Sequence, residues 1–123
     1  MSIVADLTKE LETLASEEGI DISAVITRSG SPIAWHLPNG TSAETIATLS
    51  ATIFGASEVI YTGHGWEKPD KVSIEAGDNG AFITRSLGTK AILVLMSKTL
   101  KRTELDSKSN EAEAKIREVM QNE

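Results

Sequence analysis

Apolar residues recur at three- and four-residue spacing from Ser2 to Glu18, with Ile3, Leu7, Leu11 and Leu14 on one stripe. This predicts an amphipathic helix closed by Gly19. The period then falls to two. Asp21 to Arg28 places Ile22, Ala24 and Ile26 on one side and Val25 on the other, the alternation of a strand. Ser29, Gly30 and Ser31 turn the chain, and Pro32 to Leu37 continues as a second strand with Ile33 and Trp35 on one face. Pro32 suits the beginning of an edge strand, where no ladder amide is lost.

The longest helical pattern runs from Thr41 to Tyr61. Thr41 or Ser42 can cap it, Glu44 stands three residues after Thr41 as in a capping box, and Gly63 suits a left-handed closing residue. At about 100° per residue, Ile46, Leu49, Ile53, Ala56 and Ile60 form one wall, and Ala43, Ala47, Ala51, Phe54 and Tyr61 a second. With Ser50 and Ser57 these walls exceed the stripe of about 100° that packing on one surface requires. The bulky wall is expected to meet a sheet, and the alanine-rich wall to let another helix approach closely. A central helix covered on both sides within one chain is the alternative. So short a chain has few helices to spare, which favours a second copy as the cover.

Beyond an irregular loop, Gly63 to Asp70, Lys71 to Ala76 alternates again through Val72, Ile74 and Ala76. Gly77 to Gly80, GDNG, is a hairpin turn rich in residues that accept positive φ. Ala81 to Leu87 is the next strand. Ala91 to Met96 is almost continuously apolar and is expected in the middle of the sheet, covered on both faces. A last helix carries Leu105, Ala112, Ile116, Val119 and Met120 on one stripe and should fray from Gln121 to Glu123. The order αββαβββα predicts a three-layer α/β sandwich. Its five-stranded antiparallel sheet has the central helix on one face and the first and last helices on the other. Residues 1–123 are expected to form one domain.

Composition narrows the function. Apolar residues make up 40% of the chain and charged residues 24%, the proportions of a water-soluble globular domain. No run approaches the roughly 18 apolar residues of a membrane span. The opening MSIVADLTKE carries acidic residues where a signal peptide would carry a basic one, so a cytoplasmic protein is expected. Cysteine is absent, which excludes disulfides, thiolate zinc sites and thiol nucleophiles. Eighteen acidic residues against 12 basic ones leave a net charge of −6, with the basic residues scattered apart from Lys98 to Arg102. Neither nucleic acid nor an anionic membrane suits such a surface.

Catalytic and metal chemistry find little support. His36 and His64, with Glu67, Asp70 or Glu75, lack the close ligand pairing of a metal site, so neither a metal nor a cofactor is expected. GHGW at 63 to 66 lacks the Gly-Lys-Ser/Thr ending of a phosphate loop. No serine sits in a nucleophile elbow, and Glu17, Glu18, Glu111 and Glu113 occupy ordinary solvated helix positions.

Ala24 to Trp35, AVITRSGSPIAW, resembles the opening hairpin of the Roadblock and dynein light-chain family. There, a strand, a Gly-containing turn and a Gly-x-Pro-Ile-Ala-like strand precede a small-residue-rich helix. Further matching pieces are ATLSATIFGASE at 47 to 58, the strand around Ile74, the GDNG turn and LGTKAILVL at 87 to 95. The resemblance implies a homodimer in which central helices pack side by side and the following strands pair. It places the dimer surface on Ala43, Ala47, Ser50, Ala51 and Phe54, and the pairing strand on Val72, Ser73, Ile74 and Glu75.

The resemblance further implies a non-catalytic scaffold or regulator of a Ras-like small GTPase, docked along Glu44, Thr48, Thr52 and Gly55. A motor adaptor and a small-molecule sensor of the same architecture are the alternatives. The low aromatic share, 4%, and the few polar residues among the core positions speak against the sensor. Arg28 and Arg85 raise the idea of an arginine finger, although either reads equally as a strand-end surface residue.

Overall fold

The computed structural model describes residues 2–121. Helix α1 (Ile3–Glu18) leads into strands β1 (Ile22–Thr27) and β2 (Pro32–His36), then helix α2 (Ala43–Thr62). Strands β3 (Lys71–Glu75), β4 (Ala81–Ser86) and β5 (Ala91–Ser97) follow, and helix α3 (Arg102–Gln121) closes the chain. Asn122 and Glu123, where fraying is expected, lie outside the described residues. The sheet is antiparallel throughout, in the order β2-β1-β5-β4-β3. Among the described residues no further strand pairs with either edge, β2 or β3.

Strand alternation divides the interior in two. Val25, Ile83, Leu93 and Leu95 join Leu7, Leu11, Leu105 and Ile116 in the larger core beneath α1 and α3. Ala24, Ile26, Ile92 and Val94 face the other way, where α2 brings Ala47 and Phe54. Strand β5 is buried on both faces from Ala91 to Leu95, which is why its sequence is continuously apolar rather than alternating.

Three local expectations are corrected. A register shift between Val25 and Ile26, opposite Pro32, separates Ile33 from Trp35. Ile33 packs into the α1/α3 core, whereas Trp35 pairs with Ala24 on the α2 face and stays exposed. The cap of α2 is Ser42, whose hydroxyl accepts from Thr45 N at 3.2 Å, so the Thr41–Glu44 spacing is not used as a capping box. Gly63 keeps a right-handed conformation, φ −64°. The reversal falls instead at Gly65, φ +74°, a conformation that side chains with a Cβ rarely adopt.

Arg28, just past β1, ties the sheet to α2. Its guanidinium donates to both carboxylate oxygens of Glu58 at 3.0 Å, to Ser86 Oγ at 3.0 Å and to the Gly88 carbonyl at 3.1 Å. It also lies 5.3 Å from the centre of the Phe54 ring. Exchanging Arg28 for Met keeps the apolar stem and strands a half-buried Glu58. The pair is partly solvated, so the expected loss is about 2 kcal/mol rather than the 3–5 of a fully buried pair. Urea unfolding measures it, and an unchanged midpoint contradicts this role for Arg28.

A candidate interaction surface on the central helix

Helix α2 is buried along one line only. Ala47, Ser50 and Phe54 point at the sheet and are almost fully enclosed. Ala51 packs on the same core, and Ala43 is half-buried. The expected assignment of the two walls is thus reversed: the small-residue wall meets the sheet, and most of the bulky wall is left outside.

The cause is close approach and filling. A Cβ built on Gly30, in the β1–β2 turn, would stand 3.3 Å from Thr48 Cα and 3.6 Å from Ala51 Cβ, so the hairpin fits against α2 only where the helix is small. Phe54 then fills the space between sheet and helix, 1% exposed. Ala47, Ser50 and Phe54 cannot face a second copy. An Arg at Ala47 would put a charge into the core.

The outer side carries large apolar groups. Leu49 is 57% exposed, Val59 69% and Ile60 63%, with Ala56 exposed between them. Ile46 leans onto the sheet core and Ile53 is half-buried. Glu44, Thr48 and Thr52 are exposed beside this strip, and Gly55 is partly so. The Thr52 and Thr62 hydroxyls donate to the Thr48 and Glu58 carbonyls at 2.8 and 2.9 Å, which returns part of their polarity to the helix. From Thr45 to Trp66 the only Asp, Glu, Lys or Arg is Glu58, held by Arg28. A helix face that is exposed, apolar and free of unpaired charge has the composition found at the centre of protein interfaces.

The strip continues past the helix. Trp66, 67% exposed, folds back so that its amide donates to the Tyr61 carbonyl at 3.0 Å, and its ring meets Tyr61 edge-on with centroids 5.7 Å apart. His64 Nδ1 lies 2.8 Å from the Ile60 carbonyl.

Strand β3 holds the other expected residues. Val72 packs on the α2-side core, Ser73 is half-buried, Ile74 is 41% exposed, and Glu75 takes Arg102 Nε at 2.9 Å. Lys71 pairs with Asp106. The strand is an edge, with one side of its backbone unpaired.

The remaining chemistry-bearing residues are used internally or stand apart. Arg85 reaches Glu113 at 2.6 Å, Ser109 Oγ at 2.9 Å and Asn110 Oδ1 at 2.6 Å, binding β4 to α3. Both arginines are thus committed within the chain and neither extends as a finger. His36 ends β2 and His64 follows α2. Among the described residues no three His, Asp or Glu side chains come together to hold a metal ion, and no helix is long and apolar enough to cross a membrane.

The model of the Roadblock/LC7 domain matches residues 7–97, from α1 to the end of β5. The chain belongs to the Roadblock/LC7 domain family. No curated protein sequence matches it significantly. Among solved structures it is similar to an MglB with a tetrameric arrangement, at 19% identity and a TM-score of 0.84, covering 99% of this chain and 93% of that one. Gliding protein MglB from Thermus thermophilus gives 18% identity and a TM-score of 0.83, covering 100% and 94%. A Roadblock/LC7 domain from Streptomyces avermitilis gives 14% and 0.69, covering 97% and 95%. At these identities the likeness carries the fold and its α1 β1 β2 α2 β3 β4 β5 α3 order.

Proposed function

We propose that this Roadblock/LC7 protein is a non-catalytic homodimeric scaffold or regulator of a Ras-like small GTPase, with two α2 helices side by side as the docking platform. The observation that carries the reading is the outer face of α2 beyond Glu44, exposed, apolar and without free charge, beside an unpaired β3 edge. Family membership supports the GTPase, since proteins of this family serve as regulators of such enzymes or as motor light-chain adaptors. The likeness to MglB structures supports the regulator over the adaptor.

The self-association surface is drawn from the residues left outside: Leu49, Ile53, Ala56 and Ile60 on α2, with β3 as the pairing strand. The sequence of β3 is complementary to itself. Antiparallel pairing centred on Ser73 sets Lys71 opposite the second copy's Glu75, and Val72 opposite its Ile74. Opposite charges and apolar pairs across strands each contribute about 0.2–1 kcal/mol. At the other edge, β2 begins with Pro32, which lacks a ladder donor. Glu44, Thr48, Thr52 and Gly55, on the outer ridge and its flank, are then left for the GTPase. A ligand sensor would need room beneath α2, where Phe54 sits.

Affinity capture from native lysate tests the function, run with GDP and with a non-hydrolysable GTP analogue and read by mass spectrometry. A Ras-like GTPase retained in one nucleotide state is expected. Its absence in both states contradicts the regulator reading.

A further inference from the structure

Helix α2 leaves part of its own side of the sheet bare. At the end of the sheet where β3 finishes, Ile22, Ile74, Phe82 and Met96, with Pro38 above, line an open apolar hollow of about 330 Å³. These side chains share the α2 face, because Ile22 pairs with Met96, Phe82 with Met96, and Ile74 with Phe82. Among the described residues no helix covers them as α2 covers Ile26 and Ile92, and Ile22, Phe82 and Met96 stay partly exposed.

The exposed cluster of Ile60, Tyr61, His64 and Trp66 lies at the opposite end. The Glu58–Arg28 pair and the bond from Ser86 N to the Asp70 carbonyl at 2.9 Å fix the last turns of α2 and the following loop at the end where β3 begins. A chain therefore cannot fill its own hollow with its own cluster. A second copy can. When two β3 edges run antiparallel, the Lys71 end of one lies beside the Glu75 end of the other. The α2–β3 loop of each copy is thereby carried to the hollow of its partner.

We infer that the Ile60–Tyr61–Trp66 cluster of one protomer seats in the Ile22–Ile74–Phe82–Met96 hollow of a second copy, and that twofold symmetry repeats the contact. The inference rests on the β3 pairing proposed above and goes beyond it by assigning the anchor and its socket. An isologous interface uses one patch on both subunits, and here the patch holds both halves of the contact. Tyr61 holds the indole in place by edge-on stacking, which lowers the ordering cost of binding. Tryptophan and tyrosine entering a water-excluding pocket are the usual energetic centres of an interface.

The test follows self-association by sedimentation and Trp66 by acrylamide quenching in a Trp35→Phe background. Trp66 is expected to be shielded at concentrations where the protein is dimeric and to become accessible on dilution. Trp66→Ala should weaken self-association about tenfold or more, whereas Trp35→Ala, at the far edge of the sheet, should leave it unchanged. A dimer in which Trp66 stays fully accessible and Trp66→Ala has no effect overturns the socket while leaving strand pairing intact. A protein that is monomeric at every concentration overturns both.

Discussion

Placing Arg at both Leu49 and Ala56 is expected to give a folded monomer sedimenting at the 13.2 kDa of one chain, and the unaltered protein is expected to sediment at twice that mass. Both positions lie on the exposed flank of α2, two turns apart, so the long side chains meet only water in the isolated chain. Between antiparallel helices related by a twofold axis, position 49 of one copy would lie near position 56 of the other. Each substitution removes an apolar contact, and together they set like charges against each other, a repulsive element in the interface. A rise in Kd of at least about a hundredfold, close to 3 kcal/mol, is expected. Circular dichroism should be unchanged. A variant that remains dimeric with an unaltered Kd would remove α2 from the interface. The contrasting change is Ala47→Arg, expected to unfold the chain, because Ala47 is enclosed between helix and sheet.

Gly80→Ala should be the most damaging methyl addition in the chain. Gly80 precedes β4 with φ +92° and ψ −157°, a region open essentially to glycine alone. An added Cβ would lie 2.8 Å from Lys98 Cα and closer still to the Ser97 carbonyl oxygen. Both are backbone atoms at the end of β5, the central strand, and cannot rotate away. Strain of this kind costs about 1–3 kcal/mol, and the steric conflict adds to it, so a loss of about 3 kcal/mol or more is expected. Gly77 is the internal comparison. Its φ is +63°, but nothing lies within 4 Å of its added Cβ, so Gly77→Ala should cost only about 1–2 kcal/mol. Denaturant midpoints for the two variants decide the matter, and equal losses contradict the crowding at Gly80.

The fold was legible because each element carries a clear period. Leu7, Leu11 and Leu14 define α1, the Ile22–Ala24–Ile26 alternation defines β1, and the unbroken apolar run from Ala91 marks the strand buried on both faces. The candidate surface was less legible. A helical wheel gives angles, not depth, and two adjacent apolar walls on α2 cannot be ordered by residue size alone. Phe54 was the available signal, since the largest side chain on the small-residue wall needs a core to fill. The gap in charge from Thr45 to Trp66, broken only by Glu58, was also visible. Its meaning depended on Arg28 reaching Glu58 from β1, a contact between residues 30 apart. The register shift opposite Pro32 left no mark beyond the proline itself, and it was this shift that parted Ile33 from Trp35. That β3 lies at the sheet edge follows from strand order, which periodicity does not encode.

The central claim is that two α2 helices, not one, form the platform for a Ras-like GTPase. The most direct measurement is the nucleotide-dependent capture carried out in parallel with the unaltered protein and with the folded Leu49→Arg, Ala56→Arg variant. The account predicts that the unaltered protein retains a Ras-like GTPase in one nucleotide state and that the monomeric variant does not. Retention of the same GTPase by both, to the same extent, would contradict it.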